Sequence, residues 1–476
     1  MSFSTYAEHN NYPIRVLAEL DITEVNTQWV NIGAGIWCMN TDGTYAWVDA
    51  SLLDGFTAQS FVEIASVIVD YLDQLVEVTA LASLVPGSFY FDSAGNTLYI
   101  CLSDYSDPHI HDITLGVVYH YSTKDFQPVD NENFFEGRLH SDVQVSISRE
   151  PMFFGRLAYN LGGIKLHNGD GEFDTFVETH EMYGNEVRIL AGYDLLSYNE
   201  YVNLAQLLIE NANISSTEFS LGLVDKRKTL SKEVNFGCTS TNALVAIRLL
   251  LEQAYGYSYT SDFYDTTTWA TAEALAPPVT IVYDDDTEDK HPVIEIIEEI
   301  CKSIFGIFTV DKDKKFTFSY IDYTTTAVSV ITIPSTDILN IPEVSYDPSE
   351  VISSVKIGYD KSWSTNEYTY KTYTDREADV FKKYKTYNEQ TFDTLLDYET
   401  DADDLAERIE DYFDEVHGTF EITVPIKYYT LEIGNIATAE LRRENNHPYI
   451  GDKMCEIIGK TYNISDSTIN FTCRIV

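Results

Sequence analysis

The segment with the most site-like spacing is residues 168–174, which read Asn-Gly-Asp-Gly-Glu-Phe-Asp. Carboxylates at alternate positions supply the oxygen ligands that Ca²⁺ prefers, so this segment is a candidate metal site. A calcium-binding EF-hand loop also needs a bidentate Glu at its last position, and no Glu stands at the equivalent place. Asn-Gly-Asp-Gly is, in addition, an ordinary tight turn between strands. The turn is the favoured interpretation.

Two weaker candidates consist of histidines and an acidic run. His109 and His111 follow Asp107 at alternate positions, so on a strand both would face the same side and could share a metal. No third ligand can be placed beside them, which favours a plain loop. Residues 284–289 concentrate carboxylates next to Lys290, as solvated loops do, and we expect a structural role for them.

Motifs of known catalytic chemistry are missing from the sequence. His180-Glu181 begins like a zinc-protease helix, but Gly184 occupies the position of the second histidine. Serine-nucleophile elbows and phosphate-binding loops do not occur. Paired carboxylates for glycoside hydrolysis are a weak indication, because 76 acidic residues guarantee pairs by chance. We therefore predict no catalytic residue, no cofactor-binding residue, no cofactor and no metal ligand, and we predict that the chain is not an enzyme.

Three arginines stand out in an otherwise acidic chain, namely Arg138, Arg149 and Arg156, and we expect them on adjacent strands. A guanidinium can bind a carboxylate through two parallel hydrogen bonds, so each arginine suits a carboxylate of a neighbouring subunit. Pairing with carboxylates of the same chain is at least as good an interpretation.

The net charge limits the possible partners. There are 76 Asp and Glu against 31 Lys and Arg, a formal net charge of −45. Such a surface repels phosphates, so specific DNA binding is not expected. An acidic conduit would let DNA pass without sticking, but a solvated acidic surface from a salty habitat explains the charge equally well.

Cysteine usage and hydropathy indicate where the chain is found. Its six cysteines are dispersed and form no C-x-x-C pair, which indicates buried thiols in a reducing cytoplasm and neither a zinc site nor a disulfide framework. No apolar run reaches the roughly 18 residues of a membrane helix. Because the N-terminus also lacks a signal-peptide pattern, we expect a chain that is soluble, not inserted in membranes and not secreted by the general route.

The composition predicts mostly β-structure, since 34 Tyr accompany abundant Val, Ile and Thr. Alternation within 13–50 predicts strands, and 88–104 predicts a hairpin around a Ser-Ala-Gly-Asn turn. Residues 60–83 fit either helix or strand, and this choice stays open. Short strands separated by Gly, Asn and Asp across 129–235 suit a small antiparallel barrel.

Helices are expected at three places, 242–256, 292–306 and 401–418, the last capped by Gly418. A loosely structured segment should separate the first two helices, and a hairpin closing on Lys312-Asp313-Lys314 should follow the second. The fold class is therefore α+β and predominantly β, with several small antiparallel β-barrel or sandwich domains and an intervening helix-on-sheet module. The predicted domains are a β-rich domain at 1–128, a β-barrel at 129–235, an α/β module at 236–342 and a C-terminal β-barrel with one helix at 343–476.

The order of several segments resembles that of bacteriophage tail-tip and baseplate hub proteins. FYFDSAGNTLYICLSDYSDP (89–108) is similar to their aromatic-Asp turn, strand and SDP loop, and FFEGRL (134–139) with 146–174 is similar to a strand carrying G-x-I-x-L-x-N-x-D-G-x-x-D. Residues 188–211 and 219–234 resemble the next strand pair, with Asp225 and Lys226-Arg227 at a DxR position. The last strands resemble the terminal L-x-x-G-D-x-V barrel, where Asn435 replaces the usual Asp. The resemblance covers about half of the chain.

This resemblance implies a structural virion protein at the viral tail tip or baseplate, assembled in the host cytoplasm. In that family the hub is a homotrimer that connects the tail tube to the tip and lines the DNA ejection channel. Expected partners are the distal tail or tube protein, the tape measure and tail fibres, with DNA only passing through an acidic lumen. Two other functions stay open from the sequence, a carbohydrate-recognising receptor-binding tail protein and a glycan-degrading tail enzyme.

Overall fold

The fold class predicted from the sequence is confirmed, because the described chain is α+β and mostly β, with a large antiparallel sheet and few helices. The structure is a computed structural model. It describes residues 15–25, 30–33, 36–40, 62–69, 73–74, 76–77, 88–92, 97–101, 113–128, 134–141, 143–148, 161–179, 182–193, 196–283, 290–320, 329–442 and 448–476.

Strands are numbered here in chain order within those ranges. They are β1 Arg15–Val25, β2 Val30–Gly33, β3 Ile36–Asn40, β4 Val62–Val69, β5 Asp73–Gln74, β6 Val76–Glu77, β7 Ser88–Asp92, β8 Thr97–Cys101, β9 Ile113–Ser122, β10 Gln144–Ser148, β11 Leu161–His167, β12 Glu186–Gly192, β13 Val202–Ile214, β14 Glu218–Val224, β15 Glu233–Val234, β16 Phe236–Asn242, β17 Pro278–Tyr283, β18 His291–Pro292, β19 Gly306–Val310, β20 Phe316–Tyr320, β21 Ile331–Ile333, β22 Ser345–Tyr346, β23 Ser354–Ser362, β24 Glu367–Tyr373, β25 Glu389–Asp393, β26 Gly418–Pro425, β27 Ile436–Arg442, β28 Pro448–Asn463 and β29 Thr468–Ile475. The α-helices are α1 Phe176–Thr179, α2 Ala243–Tyr255, α3 Thr266–Glu273, α4 Val293–Ile304, α5 Glu377–Tyr384 and α6 Glu399–Phe413.

The chain divides into two compact units, residues 1–143 with 162–224 (unit 1) and residues 144–161 with 225–476 (unit 2). In unit 1 the strand order is β11-β14-β13-β12-β1-β9-β4-β5, and a second sheet has the order β2-β3-β8-β7-β6. Burial alternates along β14, as expected of a sheet with one face on a core. The β7–β8 pair confirms the predicted hairpin, and β4 settles the open choice at Val62–Val69 as strand.

β1 pairs with both β9 and β12 in unit 1. These strands come from two of the domains predicted from the sequence, on either side of residue 128. Residues 144–161 belong to unit 2 although they lie within the predicted barrel at 129–235. The division into these four domains stays a prediction.

In unit 2, helices pack on short sheets around one hydrophobic core. Asn242 begins α2 by accepting hydrogen bonds from the backbone N–H groups of Leu244 and Val245, and Gly256 ends it at φ +72°. The hairpin β19–β20 closes through Asp311, whose Oδ1 accepts from the backbone N–H of Lys315 at 2.8 Å. The predicted helices at 242–256 and 292–306 and this hairpin are confirmed.

A small barrel completes unit 2. β26, β29, β28 and β27 form an antiparallel sheet in that order. The segment 329–346 pairs through β21 with β27, through the Leu339 N–H with the Thr423 carbonyl, and through β22 with β26. It therefore joins the two edges of the sheet and closes it.

Three helix predictions were wrong in detail. The helix predicted at 401–418 ends at Phe413, and Gly418 does not cap it. Gly418 instead starts β26, where an added Cβ would lie 2.7 Å from Val344 Cγ1. A second helix, α5, lies in the part expected to have one, and the segment expected to be loose contains α3, which Asp265 caps.

Candidate functional site

Arg138 organises the acidic loop that the sequence singled out, residues 168–174, called here the carboxylate loop. Its guanidinium donates two parallel hydrogen bonds to Asp170, from Nη1 to Oδ1 at 2.9 Å and from Nη2 to Oδ2 at 2.7 Å. Nε donates to Glu136 Oε1 at 2.6 Å, and Nη2 also donates to Glu172. The Arg138 guanidinium therefore forms ion pairs with three carboxylates, all within unit 1.

Asn168 fixes the shape of the carboxylate loop. It is buried, and its side-chain Oδ1 accepts from the backbone N–H of Phe173 at 2.9 Å. Its Nδ2 donates to Asp174 Oδ1 and to the Ser215 carbonyl, each at 2.9 Å. Gly171 has φ +78°, which a residue with a Cβ adopts only with strain. The Asn and the Gly of this sequence thus build a rigid turn at the end of β11.

An aromatic cluster lies beneath the loop. Phe173 is fully buried and stacks on Phe219, with ring centroids 4.8 Å apart, and meets Tyr121 and Phe176 edge-on. The Arg138 guanidinium carbon lies 5.6 Å from the centroid of the Phe173 ring. Apolar surroundings on one side strengthen the ion pairs that Arg138 makes on the other.

The ionisation of the loop follows from these contacts. The hydrogen bond from Arg138 lowers the pKa of Asp170 to about 2, so this carboxylate stays charged at neutral pH. Burial raises the pKa of Glu172 above its usual value, although Arg138 opposes that shift. The carboxylates raise the pKa of Arg138 in turn, chiefly through its hydrogen bond with Asp170.

These contacts favour the turn over the metal site. Arg138 occupies the place among the carboxylates where a cation would be held. Within the described ranges no group of three or more His, Cys, Asp and Glu is arranged to hold a metal ion. The pairing of Arg138 with carboxylates of its own chain is the alternative that the structure supports for that residue.

Several sequence candidates lie outside the described residues. They are Arg149, Arg156, His109, His111, the His180-Glu181 pair and the acidic run at 284–289.

A second charged cluster lies in unit 2, at the Asp225-Lys226-Arg227 position that the sequence resemblance had marked. Asp225 and Arg227 are both buried, and Arg227 Nη2 donates to Asp225 Oδ2 at 2.6 Å. Asp225 Oδ1 also accepts from the Arg227 backbone N–H at 2.8 Å, which caps a short 3₁₀ helix at Lys226–Thr229. Lys226 Nζ lies 4.0 Å from the Tyr257 ring centroid and 4.8 Å from that of Phe316. These contacts are those of a packed structural turn.

Glu410, near the end of α6, is a charged residue that sequence reasoning missed. It is 6% exposed, and its Oε1 has no hydrogen-bond partner in the described structure. Burial raises its pKa to about 7, helped by Asp375, Asp411 and Asp414 and opposed by Arg376. In the sequence, an acidic residue in an amphipathic helix is expected on the solvent-facing side. No local signal could therefore have shown that Glu410 is buried.

The cysteines of unit 2 fit the prediction of buried thiols. Cys301, Cys455 and Cys473 are buried, Cys238 is partly buried, and all four are free. Burial raises the pKa of the Cys301 thiol well above its usual value.

Comparisons with known proteins give similarity only at the level of three-dimensional structure. No protein-family model matches the chain, and neither does any curated protein. The tail protein from Neisseria meningitidis is 13% identical over 70% of this chain and 90% of that chain, with a TM-score of 0.44. The 43 kDa tail protein of prophage MuSo2 from Shewanella oneidensis is 11% identical over 73% of this chain and 96% of that chain, with a TM-score of 0.44. A prophage tail protein from Listeria monocytogenes is 10% identical over 72% of this chain and 91% of that chain, with a TM-score of 0.42.

All three solved structures are described as tail proteins, two of them from prophages. None of the helices in the described ranges combines the length and the apolarity needed to cross a membrane.

Proposed function

We propose that this chain is a structural subunit of a bacteriophage tail, placed in the virion at the tail tip or baseplate. The observation that carries the proposal is the ordered series of turn-and-strand segments between residues 134 and 234. In the structure this series becomes the Arg138 cluster with the carboxylate loop, the sheet β12–β14 and the buried Asp225 turn. The residues of the Arg138 cluster and of the Asp225 turn stabilise turns between strands, as expected of a structural protein.

The finer proposal is a homotrimeric hub that connects the tail tube to the tip and lines the channel for DNA ejection. A formal net charge of −45 supports it, because an acidic lumen repels DNA and keeps it mobile. The expected neighbours are the distal tail or tube protein, the tape measure and tail fibres. The division into four domains belongs to this proposal as well.

The hub is proposed to work without catalysis. Two carboxylates of the segment with the most site-like spacing are held by Arg138, Asp170 through hydrogen bonds of 2.9 and 2.7 Å and Glu172 through a third. A general acid or base needs a carboxyl free to exchange a proton near neutral pH, whereas the pKa of Asp170 is about 2.

The mass and shape of the purified chain test this proposal. Light scattering should give three times the mass of the chain, and electron micrographs should show closed rings with a central channel. A chain that stays monomeric at high concentration and hydrolyses a glycan would contradict the hub and favour the enzyme. Binding on a glycan array without turnover, by a monomer, would favour the receptor-binding alternative.

A further inference from the structure

An exposed pair of aromatic rings lies on the surface of unit 2, at the end of α5. Phe381 is 37% exposed and Tyr387 is 64% exposed, and their rings stack with centroids 4.4 Å apart. Lys382 and Lys385 are exposed beside them, and Lys385 Nζ lies 5.6 Å from the Phe381 ring centroid. These four residues are called the α5 patch.

The lysines of the α5 patch differ from two neighbouring cations, Lys383 and Arg376, which form ion pairs. Lys383, between them, donates to Glu415 at 2.9 Å, as Arg376 does to Asp411 at 2.6 Å. Lys385 Nζ donates to the backbone carbonyl of Lys382, and within the described ranges neither Lys382 nor Lys385 has a carboxylate at ion-pair distance. Their positive charges are therefore available to a carboxylate from outside.

The two aromatic rings have the composition of an interface centre, and the lysines beside them have that of its polar rim. Exposed aromatic surface costs free energy in water, and burying it in a contact recovers that energy. Aromatic side chains are enriched in the centres of protein interfaces and dominate their binding energy. The Phe381–Tyr387 stack is already ordered, so little side-chain entropy is lost when a partner covers it.

Charge determines which partner fits. The chain has 76 acidic residues and 31 basic ones, so two copies repel each other over most of their surfaces. A favourable contact between copies must place scarce cations opposite abundant carboxylates. Because two α5 patches facing each other would repel, the patch must meet a different, acidic surface. A contact between two different surfaces is heterologous, and repeated contacts of that kind form closed rings or filaments.

We propose that the α5 patch docks on an acidic surface of a second copy of this chain and so forms the contact between neighbouring subunits of the ring. This inference deepens the proposed function and rests on the self-association included there. It specifies which face of the chain the copies use to associate.

Analytical ultracentrifugation of the full chain over a concentration series tests the proposal. The variant Phe381→Ser with Tyr387→Ser should raise the dissociation constant at least tenfold. Charge reversal by Lys382→Glu with Lys385→Glu should do the same without touching the rings. Unfolding midpoints equal to that of the unmodified chain show that both variants are folded.

Two control variants separate the patch from general effects. Lys312→Glu with Lys314→Glu changes the net charge equally, in the β19–β20 turn, and Leu275→Ser removes an apolar side chain that is 72% exposed. Both controls should associate like the unmodified chain.

Each outcome decides one point. Weakened association of both patch variants, with unchanged controls, supports the α5 patch. An unmodified chain that assembles while the patch variants assemble equally well overturns the patch and leaves the ring standing. An unmodified chain that is monomeric at every concentration overturns the patch and also the ring of the proposed function.

Discussion

Replacing Arg138 by Met should loosen the carboxylate loop. The substitution keeps an apolar stem over Phe173 and removes the charge that holds Glu136, Asp170 and Glu172 together. The three carboxylates would then repel one another across the turn. We expect the loop to open locally more often, with β11 and the neighbouring strands still paired.

The size of the effect follows from the exposure of the partners. Removing one partner of a buried ion pair costs about 3–5 kcal/mol, whereas an exposed pair contributes at most about 1 kcal/mol. The Arg138 side chain is 14% exposed, but its carboxylate partners reach water and can be solvated again. We therefore expect the free energy of opening the loop to fall by about 2 kcal/mol. This corresponds to a roughly 30-fold larger equilibrium constant for opening.

Hydrogen exchange of peptides that cover residues 161–179 measures this opening directly. The backbone amide of Phe173, which donates to Asn168, should lose most of its protection. Arg442→Met is a matched control, because Arg442 also lies between two carboxylates but contacts them at 3.3 and 3.7 Å on the surface. It should leave exchange in the loop unchanged, and Arg138→Lys should give an intermediate effect.

Two results would refute this reasoning. Exchange in the Arg138→Met variant within twofold of the unmodified rate would mean that Arg138 does not hold the loop. Calcium should protect the loop only in the variant, where it can replace the missing cation. Strong protection of the unmodified loop by calcium would show that the loop is a metal site.

Three further predictions concern unit 2. Arg227→Met removes the cation that contacts the Asp225 carboxylate at 2.6 Å in the interior, so the free energy of unfolding should fall by about 3–5 kcal/mol in urea titrations. Glu410 has its pKa raised to about 7, so the folded state binds its proton more tightly than the unfolded state. Stability should therefore fall by about 3 kcal/mol as the pH rises from about 4.5 to above 7, and Glu410→Gln should remove this loss. Cys301 is buried with a raised thiol pKa, so it should be alkylated only after unfolding.

Each of these predictions has a contradicting result. An Arg227→Met variant as stable as the unmodified chain would mean that the Asp225 turn is not held by the pair. Equal pH dependence in the unmodified chain and in Glu410→Gln would assign the titration to another group. Alkylation of Cys301 in the native protein, located by mass spectrometry, would mean that the α4 core opens readily.

Local sequence signals predicted what depends on neighbouring residues along the chain. Asn242 and Gly256 mark the ends of α2 because a side-chain cap and a left-handed residue act within one turn of the helix. The turn between β19 and β20 follows equally from polar residues between two apolar runs. These features are independent of the rest of the fold.

Tertiary contacts decided the features that the sequence could not predict. Gly418 looks like a helix cap, but it is needed where β26 passes Val344 and Ile475 too closely for a side chain. Helix α3 was missed because its threonines favour strands, and the cap from Asp265 outweighs that preference. The partners of Arg138 in the loop lie more than 30 residues away in sequence, and nothing local distinguishes them among 76 acidic residues.

Immunogold labelling of intact virions is the most direct test of whether this chain is a structural part of a phage tail at its tip. We expect gold particles at the end of the tail that is distal to the head. Label on the head, or spread along the whole tail, would contradict it.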